Sequence, residues 1–241
     1  GDSGIRSQRI GDTRTVQEGD PGSAVFMQVP AGNGTYTVTD NSSNQGNAYW
    51  TSATVSNASA WVADTYSLSF TAADSWEVRN SSGSLVGSGS YSSGQSIAFA
   101  GVSIGFEGTP VAGDQFVVAQ SGFQSVFKTV QDFLTTLDVD TGSPEGRAAF
   151  QNRLNSNLMN IDQSLQHLGN IQSQVGARLA TIDRQQSSNA DMSLDLSQSI
   201  SVIRDLDYAS AISRLEQQLN SLEAAQKAYT RTRSLSLFDI L

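Results

Sequence analysis

The chain has no cysteine and only one histidine among its 241 residues. The lack of cysteine excludes disulfide bonds, thiolate metal ligands and cysteine nucleophiles, and it leaves the cellular compartment open. His167 has no second imidazole with which to share a metal ion, and no Ser-His-Asp pattern stands out around it. We therefore expect no catalytic residue, no cofactor and no metal site. His167 itself is interpreted as a solvated residue.

Positive charge is also scarce, with 14 Lys and Arg against 23 Asp and Glu and a net charge of −9. This balance disfavours nucleic acid and anionic membrane surfaces as partners. No stretch approaches the roughly 18 to 20 consecutive apolar residues of a membrane helix, and no signal peptide opens the chain. The first residue is glycine rather than methionine, which fits a sequence from which an N-terminal portion was trimmed or in which it was never included.

Glycine and proline become rare in the second half of the chain. Residues 1–122 contain 17 of the 21 glycines, all three tryptophans and only four basic residues, in a background rich in Ser, Thr and Asn. This composition is typical of strands and turns. Residues 123–241 contain four glycines and one proline, and Leu, Gln, Ala, Arg and Asp dominate, as in helices. The sequence predicts an α+β chain with its two classes segregated.

Several short strands are expected in the first half. A hairpin is predicted around Gly11 and Asp12, and the segment 96–106 shows the clearest alternation of apolar residues. Its alternation shifts by one position at Ala100 and Gly101, which predicts a β-bulge. Many short strands separated by turns indicate a small all-β sandwich or barrel. The expected strands lie near 25–29, 35–39, 48–55, 66–70, 76–79, 96–106 and 114–120.

Helices are predicted throughout the second half. Apolar residues spaced by four and three predict the first helix over 123–137. Ser143 is a suitable N-cap for the second, with Pro144 at its first position and Glu145 favoured by the helix dipole. The first helix takes its apolar row from Phe123, Phe127, Val130, Leu134 and Leu137.

The second helix carries a 4-3 alternation that is typical of a left-handed coiled coil. We call these apolar positions the rod seam; Gln172 is its one polar position. Between Arg147 and Arg204 there is no proline and only two glycines, so a long helical rod is allowed. The two candidate breaks are 187–192 and 204–208, and we expect the second, because the apolar period is regular on its C-terminal side. The rod seam consists of Leu154, Leu158, Ile161, Leu165, Leu168, Val175, Leu179 and Ile182.

A further apolar series continues to the last residue, where chain ends usually fray. An uncovered apolar end is unfavourable, so we expect partner helices from a missing N-terminal segment, from other copies, or from both. A self-contained helical bundle is the alternative. We call this series the assembly row, and it consists of Ile212, Leu215, Leu219, Leu222, Tyr229, Leu235, Leu237, Phe238, Ile240 and Leu241.

Several segments resemble the flagellin superfamily. The stretch "RDLDYASAISRLEQQLNSLEAAQKAY" at 204–229 and the final "SLSLFDIL" are similar to the C-terminal region of that family, and closest to its hook-associated branch at the hook-filament junction. The segments "VGARLATID" (175–183), "GFEGTPVAGDQFVV" (105–118) and "VQEGDPGSAVF" (16–26) also resemble this family. The resemblance covers nearly all of the second half and both edges of the β half.

The resemblance implies a flagellin-type rod of paired N- and C-terminal helices with a β domain inserted between them. The N-terminal helices of that pattern are absent from this sequence. We therefore assign residues 1–28 to a β-hairpin segment of the rod and 29–121 to the inserted β domain. Residues 122–206 form the helical rod domain and 207–241 the C-terminal assembly helix.

The resemblance also implies a structural role in the bacterial flagellum, as a junction between hook and filament. The implied partners are other copies of the chain, the other hook-associated junction protein FlgK, flagellin, and a chaperone before type III export to the cell exterior. One alternative is a flagellin-type filament subunit. Another is a secreted carbohydrate-binding β module on a coiled-coil stalk, with Trp50, Trp61 and Trp76 as a sugar platform.

Overall fold

The predicted first hairpin is present in the computed structural model, which describes residues 4–11 and 13–234. The chain divides into two units, residues 1–178 and 179–241. In chain order the elements are β1 (Ser7–Arg9), β2 (Thr15–Gln17), α1 (Gly22–Phe26), β3 (Val29–Pro30), β4 (Tyr36–Asp40), β5 (Tyr49–Val55), β6 (Thr65–Ala72), β7 (Ser75–Arg79), β8 (Leu85–Ser90), β9 (Ser96–Phe99), β10 (Val102–Glu107), β11 (Gln115–Gln120), β12 (Phe123–Gln124), α2 (Val126–Leu137) and α3 (Pro144–Ser234).

A β-sandwich forms the centre of the first unit, which confirms the α+β fold class. The five-stranded sheet has the order β4-β11-β6-β7-β8, and the three-stranded sheet has the order β5-β10-β9. All of these pairings are antiparallel. Alternate residues of each strand point to the same face of its sheet. The side chains on the two facing sides meet between the sheets and form one apolar core.

Strand β8 was not predicted. Its sequence "LVGSGS" is rich in glycine and serine, which have low β propensity. The ring of Trp76 on β7 covers these glycines: a Cβ atom added at Gly89 would lie 3.0 Å from it, and one at Gly87 would lie 3.6 Å away. A cross-strand aromatic ring therefore supplies the packing surface that the glycines lack.

The segment predicted as a strand near 25–29 begins with the end of a helical turn, and only Val29 lies on a strand. The backbone N–H of Val25 donates to Pro21 O, and that of Met27 to Ser23 O, so the one-turn helix α1 precedes β3. The ring of Phe26 then lies 6.0 Å from that of Phe127, centroid to centroid. The strand prediction failed because a short apolar run has no period that separates a strand from one helical turn.

The predicted bulge at Ala100 and Gly101 is also wrong, because these two residues form a hairpin turn. Phe99 on β9 faces Val102 on β10, so the strands reverse across a two-residue connection. Ala100 and Gly101 have φ angles of 43° and 80°. Positive φ at both central positions is the mark of a type I′ turn, whose twist matches that of the strands. A two-residue turn changes the apolar phase much as a bulge does.

Aromatic side chains dominate the core of the sandwich. The rings of Phe70 and Phe106 meet edge to face at 5.7 Å, and those of Phe106 and Phe116 at 4.9 Å. Trp50 is buried in this core, and Trp61 and Trp76 pack against it. The three tryptophans therefore contribute to the packing of the core. This is the behaviour expected of structural residues, whereas a sugar-binding platform does not require such packing.

Both longer helices begin at the capping residues that the sequence provides. Ser143 Oγ accepts a hydrogen bond from Gly146 N at 3.1 Å, which confirms the predicted start of α3. Helix α2 begins at Val126 rather than at residue 123, because Ser125 Oγ caps it by accepting from Lys128 N. Phe123 belongs instead to the short strand β12, which pairs with β3.

The break expected at 204–208 is absent, and α3 continues from Pro144 to Ser234. After Gly176 this helix contains neither glycine nor proline, so no residue interrupts its hydrogen bonds. Arg and Asp at 204–208 are compatible with a helix interior. Among residues 4–11 and 13–234, no helix combines the length and apolarity that a membrane span requires.

The β9-β10 turn gives a test of the fold. Gly83 and Gly101 both have positive φ, but a Cβ atom at Gly83 would meet open space, whereas one at Gly101 would lie 2.2 Å from Asn57 O. Gly83→Ala should cost about 1 to 2 kcal/mol from backbone strain alone. Gly101→Ala should cost clearly more, because the Asn57 backbone must also move. Urea unfolding followed by tryptophan fluorescence measures both, and equal costs would contradict the close approach.

Candidate assembly surface

Helix α3 buries a polar face in the first unit. The side chains of Asn152, Asn157 and Ser164 are only 2%, 4% and 6% exposed. A surface helix usually turns its apolar stripe to the core and its polar residues to water. In this part of α3 several polar residues are buried as well, so their polar groups require hydrogen-bond partners.

Two asparagines of α3 hold the edge strand β5. Asn152 Oδ1 accepts a hydrogen bond from Trp50 N at 2.9 Å, and Asn155 Nδ2 donates to Trp50 O at 2.7 Å. Strand β5 has a neighbouring strand on one side, β10. The two side-chain amides therefore take the place that a further strand would occupy beside Trp50.

The edge of the other sheet is held in the same way. Ser156 Oγ donates to Val38 O at 3.2 Å, and Val38 lies on the edge strand β4. Asn160 Oδ1 accepts from Gly32 N at 2.7 Å in the preceding loop. One helix thus supplies hydrogen bonds to edges of both sheets, and this requirement explains the polar character of its buried face.

Two contacts continue this polar docking toward the end of the first unit. His167 Nε2 lies 2.9 Å from Ala24 O, a hydrogen bond that requires the tautomer protonated at Nε2. Arg178 forms an ion pair with Asp20, and both side chains are largely buried. The interpretation of His167 as a solvated residue is therefore wrong, since it is half-buried against α1.

Helix α2 also meets α3 through polar groups. Thr129 and Thr136 are its two buried residues, each 1% exposed. Asn157 Nδ2 donates to Thr136 Oγ1 at 2.7 Å and to Asp132 O at 3.2 Å. The amphipathic α2 therefore turns its threonines inward, and its apolar row lies on the other side.

The apolar row of α2 is exposed to solvent. It extends from the end of the sandwich along the helix, and each of its members keeps more than half of its accessible surface. Such a row is larger than the scattered apolar residues that are normal on a protein surface. The exposed fractions are 74% for Phe123, 66% for Phe127, 53% for Val130, 58% for Leu134 and 57% for Leu137.

The rod seam is divided between the two units, and none of its eight residues is fully buried. In the first unit Leu154, Ile161 and Leu168 are half-buried, whereas Leu158, Leu165 and Val175 are exposed. In the second unit Leu179 and Ile182 are exposed. Pairing of the rod seam with partner helices remains a prediction.

The assembly row lies on α3 in the second unit as far as the structure describes it. Its five described members follow each other at spacings of three, four and seven residues, so they share one helix face. Leu235, Leu237, Phe238, Ile240 and Leu241 lie outside the described residues. The exposed fractions are 54% for Ile212, 55% for Leu215, 55% for Leu219, 56% for Leu222 and 66% for Tyr229.

A polar cavity of about 370 Å³ lies where α2 and α3 meet β4. Asp40, Asp132 and Arg153 are among the residues that line it. Burial raises the pKa of Asp40 above its usual value, while its own backbone hydrogen bond and the charge of Arg153 oppose that rise. Within the described part of the chain, no cluster of His, Asp and Glu has the arrangement of a metal site.

The docking residues of α3 were missed at the sequence level, although a signal is present. The segment "NRLNSNLMN" at 152–160 contains four asparagines within nine residues. Asparagine is a poor residue for a helix interior, because its amide competes with backbone hydrogen bonds. Four of them in one helix therefore indicate a face that must bond to something other than water. The sequence prediction rested on the periodic apolar residues, which lie on the opposite face of the helix.

Comparisons with known proteins place the chain among flagellar proteins. A family model described as the D2-like domain of flagellar hook-associated protein 1 matches residues 39–120. No curated protein sequence gives a significant match.

Solved structures give more extensive similarity. Flagellar hook-associated protein 3 from Legionella pneumophila is 30% identical, with a TM-score of 0.79, and the match covers 86% of this chain and 66% of that one. The flagellar junction protein FlgL from the same species is 31% identical, with a TM-score of 0.77 and coverage of 83% and 65%. FlgL from Xanthomonas campestris is 34% identical, with a TM-score of 0.73 and coverage of 78% and 62%. The chain thus spans somewhat less than two thirds of these relatives.

Removing one docking amide tests the polar attachment of α3. Asn152→Ala leaves the buried Trp50 N–H without its acceptor and should lower the free energy of unfolding by about 1 to 3 kcal/mol. Asn170→Ala is the matched control, because Asn170 is an exposed residue of the same helix. This control should be neutral or slightly stabilising, since alanine favours helices. Urea unfolding followed by tryptophan fluorescence distinguishes them, and equal effects would argue against the docking role.

Proposed function

Because the chain belongs to the FlgL family of flagellar hook-associated junction proteins, we propose that it is a structural subunit that joins hook to filament. Its role is mechanical rather than catalytic. The subunit connects two tubular assemblies by presenting helices to neighbouring subunits. The proposal concerns the activity of a whole subunit, and the chain spans somewhat less than two thirds of the length of these relatives.

One observation carries the proposal: the buried residues of α2 and α3 include threonines, asparagines and a serine, whereas the apolar row of α2 and the residues Leu158, Leu165 and Val175 of α3 are exposed to solvent. Burying one Leu or Ile side chain contributes about 1.5 to 3 kcal/mol. Residues such as Leu134 and Leu165, which are 58% and 63% exposed, have not gained most of this free energy in the single chain. Packing against helices of neighbouring subunits would supply it.

The proposed partners are further copies of the chain, FlgK on the hook side and flagellin on the filament side. Relatives described as a flagellar junction protein and a hook-associated protein support this choice. The contacts would be head-to-tail, since a surface row that meets a different row on its neighbour repeats along a tube without closing. The assembly row, including Leu235, Leu237, Phe238, Ile240 and Leu241, would supply the contacts nearest the chain end.

Location and export complete the proposal. The subunit would act outside the cell, in the flagellum, after passage through the flagellar type III apparatus with a chaperone bound beforehand. An exposed apolar row on a single helix supports the need for such protection before assembly. In domain terms, 1–28 and 122–206 would form the rod, 29–121 the inserted β domain, and 207–241 the assembly helix.

The first test changes the assembly row without shortening the chain. Leu215→Ser combined with Leu219→Ser removes two large apolar side chains, each worth about 1.5 to 3 kcal/mol when buried. In the bacterium that encodes this protein, cells with the double variant should make hooks but attach few filaments. Electron microscopy of isolated hooks measures the attached fraction.

Gln217→Ser combined with Gln218→Ser is the matched control, because both residues are exposed in the same turn of α3. Glutamine and leucine have similar helix propensity, so both pairs of changes weaken the helix alike. The control should keep filament attachment. The amount of each variant in the culture medium separates a failure of export from a failure of assembly. Normal attachment with the exported leucine variant would reject the proposal.

Deletion of residues 208–241 is a second test. Unfolding of the first unit should keep its midpoint, because the deleted residues belong to the second unit. Filament attachment should be lost with the assembly row. Tryptophan fluorescence reports the first property, since all three tryptophans lie in the first unit, and microscopy reports the second. Filaments on the hooks of the deletion strain would show that this helix is dispensable.

A further inference from the structure

One stretch of α3 in the second unit carries the apolar period of a strand. Residues 191–202, which we call the alternating segment, have the sequence "DMSLDLSQSISV". Every odd-numbered position is Asp or Ser, and every even-numbered position except Gln198 is apolar. Strict alternation over this length is typical of a half-buried strand. The structure nevertheless places the whole segment in the helix.

The helix distributes these apolar residues over different sides. At 3.6 residues per turn, Leu194 points away from the side that Met192 and Leu196 share. A partner helix that covered Met192 and Leu196 would therefore leave Leu194 in water. In an extended chain all five apolar residues would share one face. Their exposed fractions in the helix are 59% for Met192, 58% for Leu194, 57% for Leu196, 56% for Ile200 and 59% for Val202.

The alternating segment is also composed of weak helix formers. Four serines, two aspartates, Ile200 and Val202 make up eight of its twelve residues. The later segment 215–226, "LEQQLNSLEAAQ", contains only two such residues, Asn220 and Ser221. Both segments belong to the second unit and have exposed side chains, so packing does not compensate for this difference.

A hydrogen bond inside the alternating segment acts in the same direction. Ser197 Oγ donates to Ser193 O at 2.8 Å, so a side chain competes for a carbonyl that serves the helix. Bonds of this kind slightly destabilise helices. Ser173 Oγ forms an equivalent bond to Gly169 O, so this bond adds to the weak propensity of the segment and does not distinguish it alone.

We propose that the alternating segment is a hinge in α3, which opens from helix to extended chain while the helix persists on both sides. Segments with few buried contacts are the ones that open locally in proteins. Twelve residues span about 18 Å as a helix and about 40 Å as an extended chain. Opening would therefore increase the distance between the rod seam and the assembly row by up to about 20 Å. This inference does not rest on the function proposed above.

Hydrogen exchange of the full chain, followed from milliseconds by mass spectrometry, tests the hinge. After correction for intrinsic rates, amides of the alternating segment should exchange at least about tenfold faster than those of 215–226. The comparison is direct, because both segments are exposed parts of one helix. Equal protection of the two segments would overturn the proposal.

A set of alanine substitutions links this exchange to the sequence of the segment. Replacing its four serines by alanine should slow its exchange toward that of 215–226, because alanine favours helices and the Ser197 side-chain bond is lost. The variant combines Ser193→Ala, Ser197→Ala, Ser199→Ala and Ser201→Ala.

The matched control makes the same four changes outside the alternating segment, at exposed serines of α3. It should leave the segment exchanging fast. Equal slowing by both sets, or slowing by neither, would show that the opening is not determined by this segment. The control combines Ser187→Ala, Ser188→Ala, Ser210→Ala and Ser213→Ala.

Distance measurement shows whether the opened segment is extended. Because the chain has no cysteine, Gln186→Cys and Ala209→Cys provide two unique sites for spin labels. A continuous helix places these positions about 35 Å apart. The hinge predicts a second component, up to about 20 Å longer, that disappears in the variant with four alanines in the segment. A single narrow distribution near 35 Å in the otherwise unaltered chain would contradict the hinge.

Discussion

The structure depends on one constraint: the backbone at two sheet edges lacks a neighbouring strand to bond to. At Trp50 on β5 and Val38 on β4, peptide groups have no neighbouring strand, and a buried peptide group must still form its hydrogen bonds. Only a polar side chain can satisfy it from a neighbouring helix. Helix α3 therefore turns asparagine and serine toward the sandwich, with Met159 packed beside them against the core. Leu158 and Leu165 of the same helix are exposed.

The outward apolar rows follow from this arrangement. Thr136 of α2 bonds to Asn157 of α3 by the same polar chemistry. The apolar residues Phe127, Val130, Leu134 and Leu137 of α2 are exposed to solvent. In the second unit, α3 stands with its apolar residues uncovered as far as the structure describes it. A single helix in water is marginally stable by itself, and most helical stability in proteins comes from packing. Its order in the proposed junction would therefore depend on neighbouring subunits.

Sequence patterns predicted those parts of the structure that local chemistry determines. A capping residue was enough to predict the start of α3 at Pro144. The spacing of apolar residues was enough to predict the helices and most strands of the sandwich. The patterns failed where the outcome depends on contacts distant in sequence. A 4-3 period reveals an apolar stripe but not what covers it, and the exposure of Leu158 and Leu165 depends on Asn152 reaching Trp50, 102 residues away. The prediction at Ala100 and Gly101 failed for a local reason, since a bulge and a two-residue hairpin turn shift the apolar alternation in the same way.

A polar inner face and an apolar outer face suit a subunit that must stay available for assembly. Had α3 packed on the sandwich through its leucines, the burial of these side chains within one chain would compete with their burial between chains. Polar docking avoids this competition, because hydrogen bonds orient the helix while their net contribution is only about 0.5 to 1.5 kcal/mol each. These hydrogen bonds determine which face of the helix points outward. The larger free energy of burying apolar side chains then remains for the contacts with neighbouring subunits. In the proposed junction, the asparagines of α3 would thus position the surface on which assembly acts.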